Sequence, residues 1–287
     1  SCIAVLRPYQ WIKNTLIFLP MMLAAEIYFE TFIQSLMAFA AFSLLASAVY
    51  VLNDLIDLES DRSHPRKKNR PIASGSVSFT YAHLVIILLI GLSTVPSILL
   101  GKYFCIILMT YFFLTVLYSC YIKRLIAIDI CILACLYTIR IIGGGAATNI
   151  DVSVWLLAFS IFLFLSLAAI KRQGELVDLS NRGLKKVEGR GYEVGDLTII
   201  NILSLCAGYL SVLIMALYLD TLEASMLFAK PSMLWGLCVV HLYWITRLVL
   251  ITNRGQMDDD PIIFALKDNI SKFCMFACLI FIVLAIN

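Results

Sequence analysis

The chain has 287 residues, 61% of them hydrophobic and 14% charged, with a formal net charge of +3 and a mean hydropathy of +0.93. So much apolar surface excludes a soluble domain of this length and specifies an all-α, polytopic membrane protein. Continuous rather than alternating apolar runs exclude a β-barrel, and the modest charge argues against nucleic acid as a partner and for membrane lipids, whose anionic headgroups attract basic loops.

Nine spans are predicted, each near the roughly 20 residues that cross a bilayer core: about 14–30, 33–52, 79–100, 103–122, 126–148, 152–170, 197–218, 232–252 and 270–286. They form a single transmembrane catalytic domain over residues 1–287. The start at Ser1 without Met fits a chain preceded by a further N-terminal domain. Of the 22 lysines and arginines, all but Lys102, Lys230 and Arg140 fall before span one, in the loops after spans two, four, six and eight, or, as Arg247 and Lys272 do, in the turns of spans eight and nine that border the last of these loops. The positive-inside rule then places the N-terminus and the charged loops in the cytoplasm and the C-terminus outside; the expected location is the plasma (inner) membrane.

Ahead of span one, Arg7-Pro8-Tyr9-Gln10-Trp11-Ile12-Lys13-Asn14 packs polar donors around an aromatic anchor, a pattern also routine at membrane boundaries. After span two the chain reads Asn53-Asp54-Leu55-Ile56-Asp57, continuing to Asp61. On a continuous helix the three aspartates would lie within about 60° of arc, at about 100° per residue. Grouped carboxylates repel one another unless they share a cation. A hard divalent ion such as Mg²⁺ suits this oxygen-only set and usually arrives with substrate phosphates. Arg62, Arg66, Lys67, Lys68 and Arg70 follow directly, so the region suits a metal–diphosphate.

Arg140 lies inside span five beside Gly143, Gly144 and Gly145. A buried arginine there must be paired or line a wet cavity, where a phosphate could meet it. The loop after span six carries Lys171, Glu175, Asp178 and Arg182 on one helical face, which also makes ordinary i,i+4 pairs; Lys171, with Arg172 beside it at the end of an apolar span, reads as a functional cation in preference to a snorkelling anchor. Asp258, Asp259, Asp260 and Pro261, followed by Lys267 and Asp268, form an acidic turn. The nine cysteines read as small packing residues, since no Cys-x-x-Cys pair occurs.

The order Arg-Pro-x-Gln-Trp-x-Lys-Asn, Asn-Asp-x-x-Asp-x-x-x-Asp and Arg-Pro-Ile-Ala-x-Gly resembles the UbiA superfamily of intramembrane prenyltransferases. Within it the likeness is greatest to the decaprenyl-phosphate phosphoribosyltransferase branch, through Arg7 to Asn14 and Lys171-Arg172-x-x-Glu175-Leu176. The resemblance implies a nine-helix bundle with a cavity open to the cytoplasm and to lipid, and transfer of 5-phosphoribose from phosphoribosyl diphosphate to a polyprenyl phosphate. It implies that Asn53, Asp54, Asp57 and Asp61 hold Mg²⁺ with the diphosphate. It makes Asp54, Asp57, Lys171 and Glu175 candidates for catalysis, with Glu175 near the ribose or the basic cluster, and Gln10, Lys13, Asn14, Arg70, Arg140 and Arg172 candidates for substrate contact. Gln173-Gly174 and Gly189-Arg190-Gly191-Tyr192 depart from that branch. Two rival readings are a UbiA-type prenyltransferase moving a polyprenyl group from its diphosphate to an aromatic acceptor, and a lipid or small-molecule transporter, whose polar groups would lie near the bilayer midplane.

Overall fold

The computed structural model describes residues 5–63, 67–186, 190–221, 224, 226, 228–257 and 260–286. Among these it is all-α, and eight helices are long and apolar enough to cross a membrane. The chain divides into two compact units. One takes the chain up to Ile122 together with Leu136–Val152; the other takes Lys123–Cys135 together with the chain from Ser153 onward.

In the first unit a 3₁₀ segment, Pro8–Phe18, runs into the short helix α1 (Leu19–Leu23). Then come α2 (Phe29–Ile56), α3 (Leu58–Ser63), α4 (Phe79–Leu100) and α5 (Lys102–Cys120). The later part of α6 (Ile128–Thr148) also belongs here. The expected first α-helical span, 14–30, is therefore absent, and nine long helices are not found among the described residues. Instead the 3₁₀ segment lies antiparallel along α2. Arg7 pairs with Asp54, Trp11 with Ser47 and Asn14 with Ser43, while the Phe18 ring meets Phe39 at 5.9 Å and Phe32 at 6.2 Å. Eleven positions from Arg7 to Phe18 must match fifteen from Asp54 to Phe39. At a 3₁₀ rise of about 2.0 Å and an α rise of about 1.5 Å, both stretches cover about 22 Å. An α-helix over the same eleven positions would fall about 6 Å short. Hydrogen bonds to α2 thus select the tighter helix.

Apolar packing fixes the end of α2: Val51 joins Val5, Ile72, Val77 and Ala82 in one cluster. Between α4 and α5 the chain turns through Gly101 at φ 97°, a conformation that a side chain would oppose.

The second unit contains α7 (Val154–Asn181), α8 (Leu197–Leu219), α9 (Trp235–Asn253), α10 (Pro261–Lys267) and α11 (Asn269–Ile286). The Ser153 hydroxyl caps α7 by accepting from Leu156 N at 3.2 Å. Helix α7 continues well past the expected end of span six, because its polar turns are internally paired: Arg182 meets Asp178 at 2.8 Å. Its buried face packs Ala168, Ala169 and Leu176 against Ile130, Tyr192 and Ile200.

Candidate active site

In the first unit, the end of α2 carries a polar stripe of Ser43, Ser47, Tyr50 and Asp54, spaced as successive helical turns. The N-terminal motif docks on it. Asn14 Nδ2 donates to Ser43 Oγ (2.9 Å), and Trp11 Nε1 donates to Ser47 Oγ (3.0 Å), which donates in turn to Leu6 O (2.8 Å). The Arg7 guanidinium bonds Asp54 Oδ1 at 2.5 Å and lies 5.4 Å from the Tyr50 ring centre. Arg7 itself has φ 49°, a left-handed conformation costing about 1–2 kcal/mol for a residue with a Cβ, which this charge-assisted bond offsets.

Asn53 and Asp54 occupy the last turn of α2. Asp57 closes the helix at φ −90° and ψ 12°, and Asp61 lies on α3. The continuous helix expected through all three aspartates is thus interrupted. Asp54 and Asp61 are both buried and nevertheless converge, because Arg70 Nη1 reaches Asp54 Oδ1 at 3.2 Å and Asp61 Oδ2 at 2.5 Å. The Arg-Pro-Ile-Ala-x-Gly element places that guanidinium. Ile72 is buried in the cluster beside Val51, Gly75 adopts φ 77°, and Ser74 N and Val77 N close the turn on Arg70 O (2.8 Å) and Pro71 O (3.1 Å). Arg66 lies outside the described residues.

Among the described residues, no three His, Cys, Asp or Glu side chains are arranged to hold a metal ion. The donor chemistry nevertheless fits a hard divalent cation: two buried carboxylates already share one cationic group, and every expected ligand offers oxygen.

Deeper in the same unit Arg140 is buried and bonded within the protein. Its Nε donates to Asn14 Oδ1 (2.8 Å), Nη2 to Tyr111 OH (3.1 Å) and Nη1 to Leu136 O. Asn14 and Arg140, expected as substrate contacts, therefore tie the 3₁₀ segment to α6. A Cβ on the neighbouring Gly144 would overlap the Ile17 carbonyl, so the close approach of these two segments requires glycine there. Lys13 is buried, its Nζ 5.8 Å from the Tyr137 ring centre. Gln10 retains a buried Oε1 with no hydrogen-bond partner.

The second unit centres on Asp129, which is wholly buried at the start of α6. Its Oδ2 accepts from Arg172 Nη2 at 2.6 Å, and its Oδ1 accepts from Tyr192 OH at 2.6 Å. Tyr192 OH accepts from Ala127 N at 2.8 Å, holding Ala127 at φ 64°. Burial, and then the bond to Asp129, pushes the Tyr192 phenol above its usual range and keeps it a donor. Arg172 is 0% exposed and also bonds Glu175. Arg190 reaches Glu175 Oε2 at 3.1 Å. Glu175 thus belongs to the basic cluster, and Arg172, expected as a substrate contact, is wholly enclosed by Asp129 and Glu175.

Lys171 stands one turn before Glu175, 3.8 Å from Asp260, whose Oδ1 caps α10 through Ile262 N (3.1 Å) and Ile263 N (3.4 Å). Asp258 and Asp259 lie outside the described residues. Asp268 holds Arg247 in two bonds, 2.7 and 3.0 Å. Sequence reasoning missed Asp129, Arg190 and Tyr192 as members of this cluster. An unpaired-looking carboxylate inside a predicted span was the available signal.

A model of the UbiA prenyltransferase family matches residues 14–256. The chain belongs to the UbiA prenyltransferase family. It is an integral membrane protein of that transferase family. Nodulation protein NoeC of Azorhizobium caulinodans is 36% identical over 271 residues, covering 94% of this chain and 88% of that one. Decaprenyl-phosphate phosphoribosyltransferase of Mycobacterium tuberculosis is 36% identical over 184 residues, covering 61% of this chain and 59% of that one. In fold the chain is similar to a UbiA homolog from Archaeoglobus fulgidus solved with GPP and Mg²⁺, at TM-score 0.70 and 15% identity over 97% of this chain and 98% of the other.

Proposed function

We propose that this protein transfers 5-phosphoribose from phosphoribosyl diphosphate to a polyprenyl phosphate, at a cytoplasmic site of the plasma membrane. The observation that carries the reading is the pair of buried carboxylates, Asp54 and Asp61, joined by the reachable guanidinium of Arg70. The partial likeness to decaprenyl-phosphate phosphoribosyltransferase supports the choice of donor. So does the cationic second cluster, where a pair of aspartate-rich motifs would suit a prenyl diphosphate.

Asn53, Asp54, Asp57 and Asp61 would hold Mg²⁺, which when bound supplies positive charge to a departing pyrophosphate. Arg70, about a quarter exposed (26%), balances the remaining phosphate charge beside the aspartates, and Lys171 (29% exposed) is a candidate for phosphate contact in the second unit. Gln10 Oε1, buried without a donor, is suited to accept from a ribose hydroxyl. In the transfer, the bond from the anomeric carbon to the pyrophosphate oxygen breaks and a bond to the acceptor phosphate oxygen forms. The leaving group takes the electron pair. An acceptor phosphate already ionised near neutral pH needs no strong general base. Charge accumulates on the leaving group, so fixed cations carry most of the rate effect. Arg140 and Arg172 serve as framework, holding the 3₁₀ segment and Glu175.

Asp54→Ala and Asp57→Ala are expected to abolish product formation in a folded protein, read as radiolabelled ribose moving into the lipid phase. Full activity in both variants overturns the proposal.

A further inference from the structure

Two guanidiniums of the second unit meet the same glutamate on different terms. Arg172 is wholly enclosed, fixed by Asp129 on one side and Glu175 on the other. Arg190 differs: it is 21% exposed, its bonds at 3.1 and 3.4 Å go to Glu175, and it stands 4.0 Å from Asp129, beyond hydrogen-bond reach. Glu175 is itself 26% exposed, and Lys171, one helical turn before it on α7, is 29% exposed.

The consequence is an asymmetric exchange. If Arg190 turns from Glu175 to another anion, Glu175 is not stranded, because Arg172 still neutralises it. The ion pair that breaks is partly exposed and therefore weak. The guanidinium fork that forms on phosphate oxygens is strong and geometrically matched. We propose that Arg190, with Lys171 one helical turn before Glu175, forms an anion-binding site for a phosphate or diphosphate group, that Glu175 occupies Arg190 until the anion arrives, and that Asp129 and Tyr192 are positioning residues that hold the frame. The inference rests on the phosphoribosyl-transfer reading only for which phosphate is the natural one.

The test uses the purified protein in phosphatidylcholine nanodiscs without divalent metal, titrated with inorganic pyrophosphate by calorimetry, each variant first checked for an unchanged melting temperature. Arg190→Gln weakens binding about tenfold or more, and Arg190→Lys, which keeps charge but loses the fork, weakens it less. Glu175→Gln removes the competitor and tightens binding severalfold. Asp54→Ala, which ends turnover on the transfer reading, leaves this metal-free binding within about twofold. Nanodiscs containing phosphatidate separate the sources of phosphate: if lipid phosphate fills the site, phosphatidate lowers pyrophosphate affinity in the wild type and not in Arg190→Gln, which supports the site equally. Wild-type pyrophosphate affinity in Arg190→Gln overturns the proposal. So does weakening by Glu175→Gln, which would make the pair merely structural, or loss of binding in Asp54→Ala, which would put the anion at the aspartates.

Discussion

Replacing Asp129 with Asn removes one buried charge while preserving shape. In the native protein its carboxylate holds Arg172 at 2.6 Å and Tyr192 at 2.6 Å with no solvent access. Charge centres about 4 Å apart attract by about 4 kcal/mol at an effective dielectric near 20. Breaking a buried pair from one side costs about 3–5 kcal/mol, because the remaining ion keeps its desolvation penalty. The amide retains one acceptor oxygen, so either Tyr192 or Arg172 loses its bond, and the lower half of that range is expected. Unfolding by sodium dodecyl sulfate titration in mixed micelles measures the loss. A double-mutant cycle with Arg172→Met isolates the pair: the double variant should be less destabilised than the sum of the two singles by about 2–3 kcal/mol. Simple additivity, or a loss below about 1 kcal/mol for Asp129→Asn alone, would refute the claim that Asp129 fixes Arg172.

Two glycines should respond in opposite ways. A methyl group at Gly144 meets the Ile17 carbonyl, which is backbone and cannot move aside, so Gly144→Ala should cost about 3 kcal/mol. Gly91 has nothing within 4 Å of the added carbon, and Gly91→Ala should be neutral or up to about 1 kcal/mol stabilising through helix propensity; the same titration reads both. Acid should act through Asp268. Burial raises its pKa, but bonds from Arg247 and Ser271 outweigh that and hold its carboxyl below the usual carboxylate range. A depressed folded-state pKa adds stability that is present above the unfolded value of about 3.9 and lost as pH falls through the lower folded value. The melting-temperature gap between wild type and Asp268→Asn should therefore stay constant from about pH 7 to 5 and close below about pH 4.

Long apolar runs made most membrane helices legible, since burial in lipid is written residue by residue: the span expected at 79–100 forms as Phe79–Leu100. The first span escapes such a reading because its geometry answers to partners elsewhere in the chain. Nothing local in Pro8–Phe18 announces a 3₁₀ helix; the register against Ser43, Ser47 and Asp54 requires it. At the candidate site, Asp54, Asp61 and Arg70 were readable from spacing and charge. Their joining depends on the Ile72 plug and the Gly75 turn, which a helical projection does not contain. Arg140 drew attention as a charge inside a span and Arg172 as one at the end of a span, yet both are held by residues far along the chain, Asn14 and Asp129. Sequence shows that such a charge needs a partner and leaves open whether the partner is substrate or protein.

The aspartates at the end of α2 are proposed to support phosphoribosyl transfer to a lipid phosphate. Mass spectrometry of the lipid fraction tests it most directly, after incubating the protein with Mg²⁺, phosphoribosyl diphosphate and polyprenyl phosphate, and in parallel with polyprenyl diphosphate and an aromatic acid. The expected result is a polyprenyl phosphate heavier by one phosphoribosyl group in the first mixture, absent when Mg²⁺ is omitted, and no product in the second. A prenylated aromatic acid with no ribosylated lipid would contradict it.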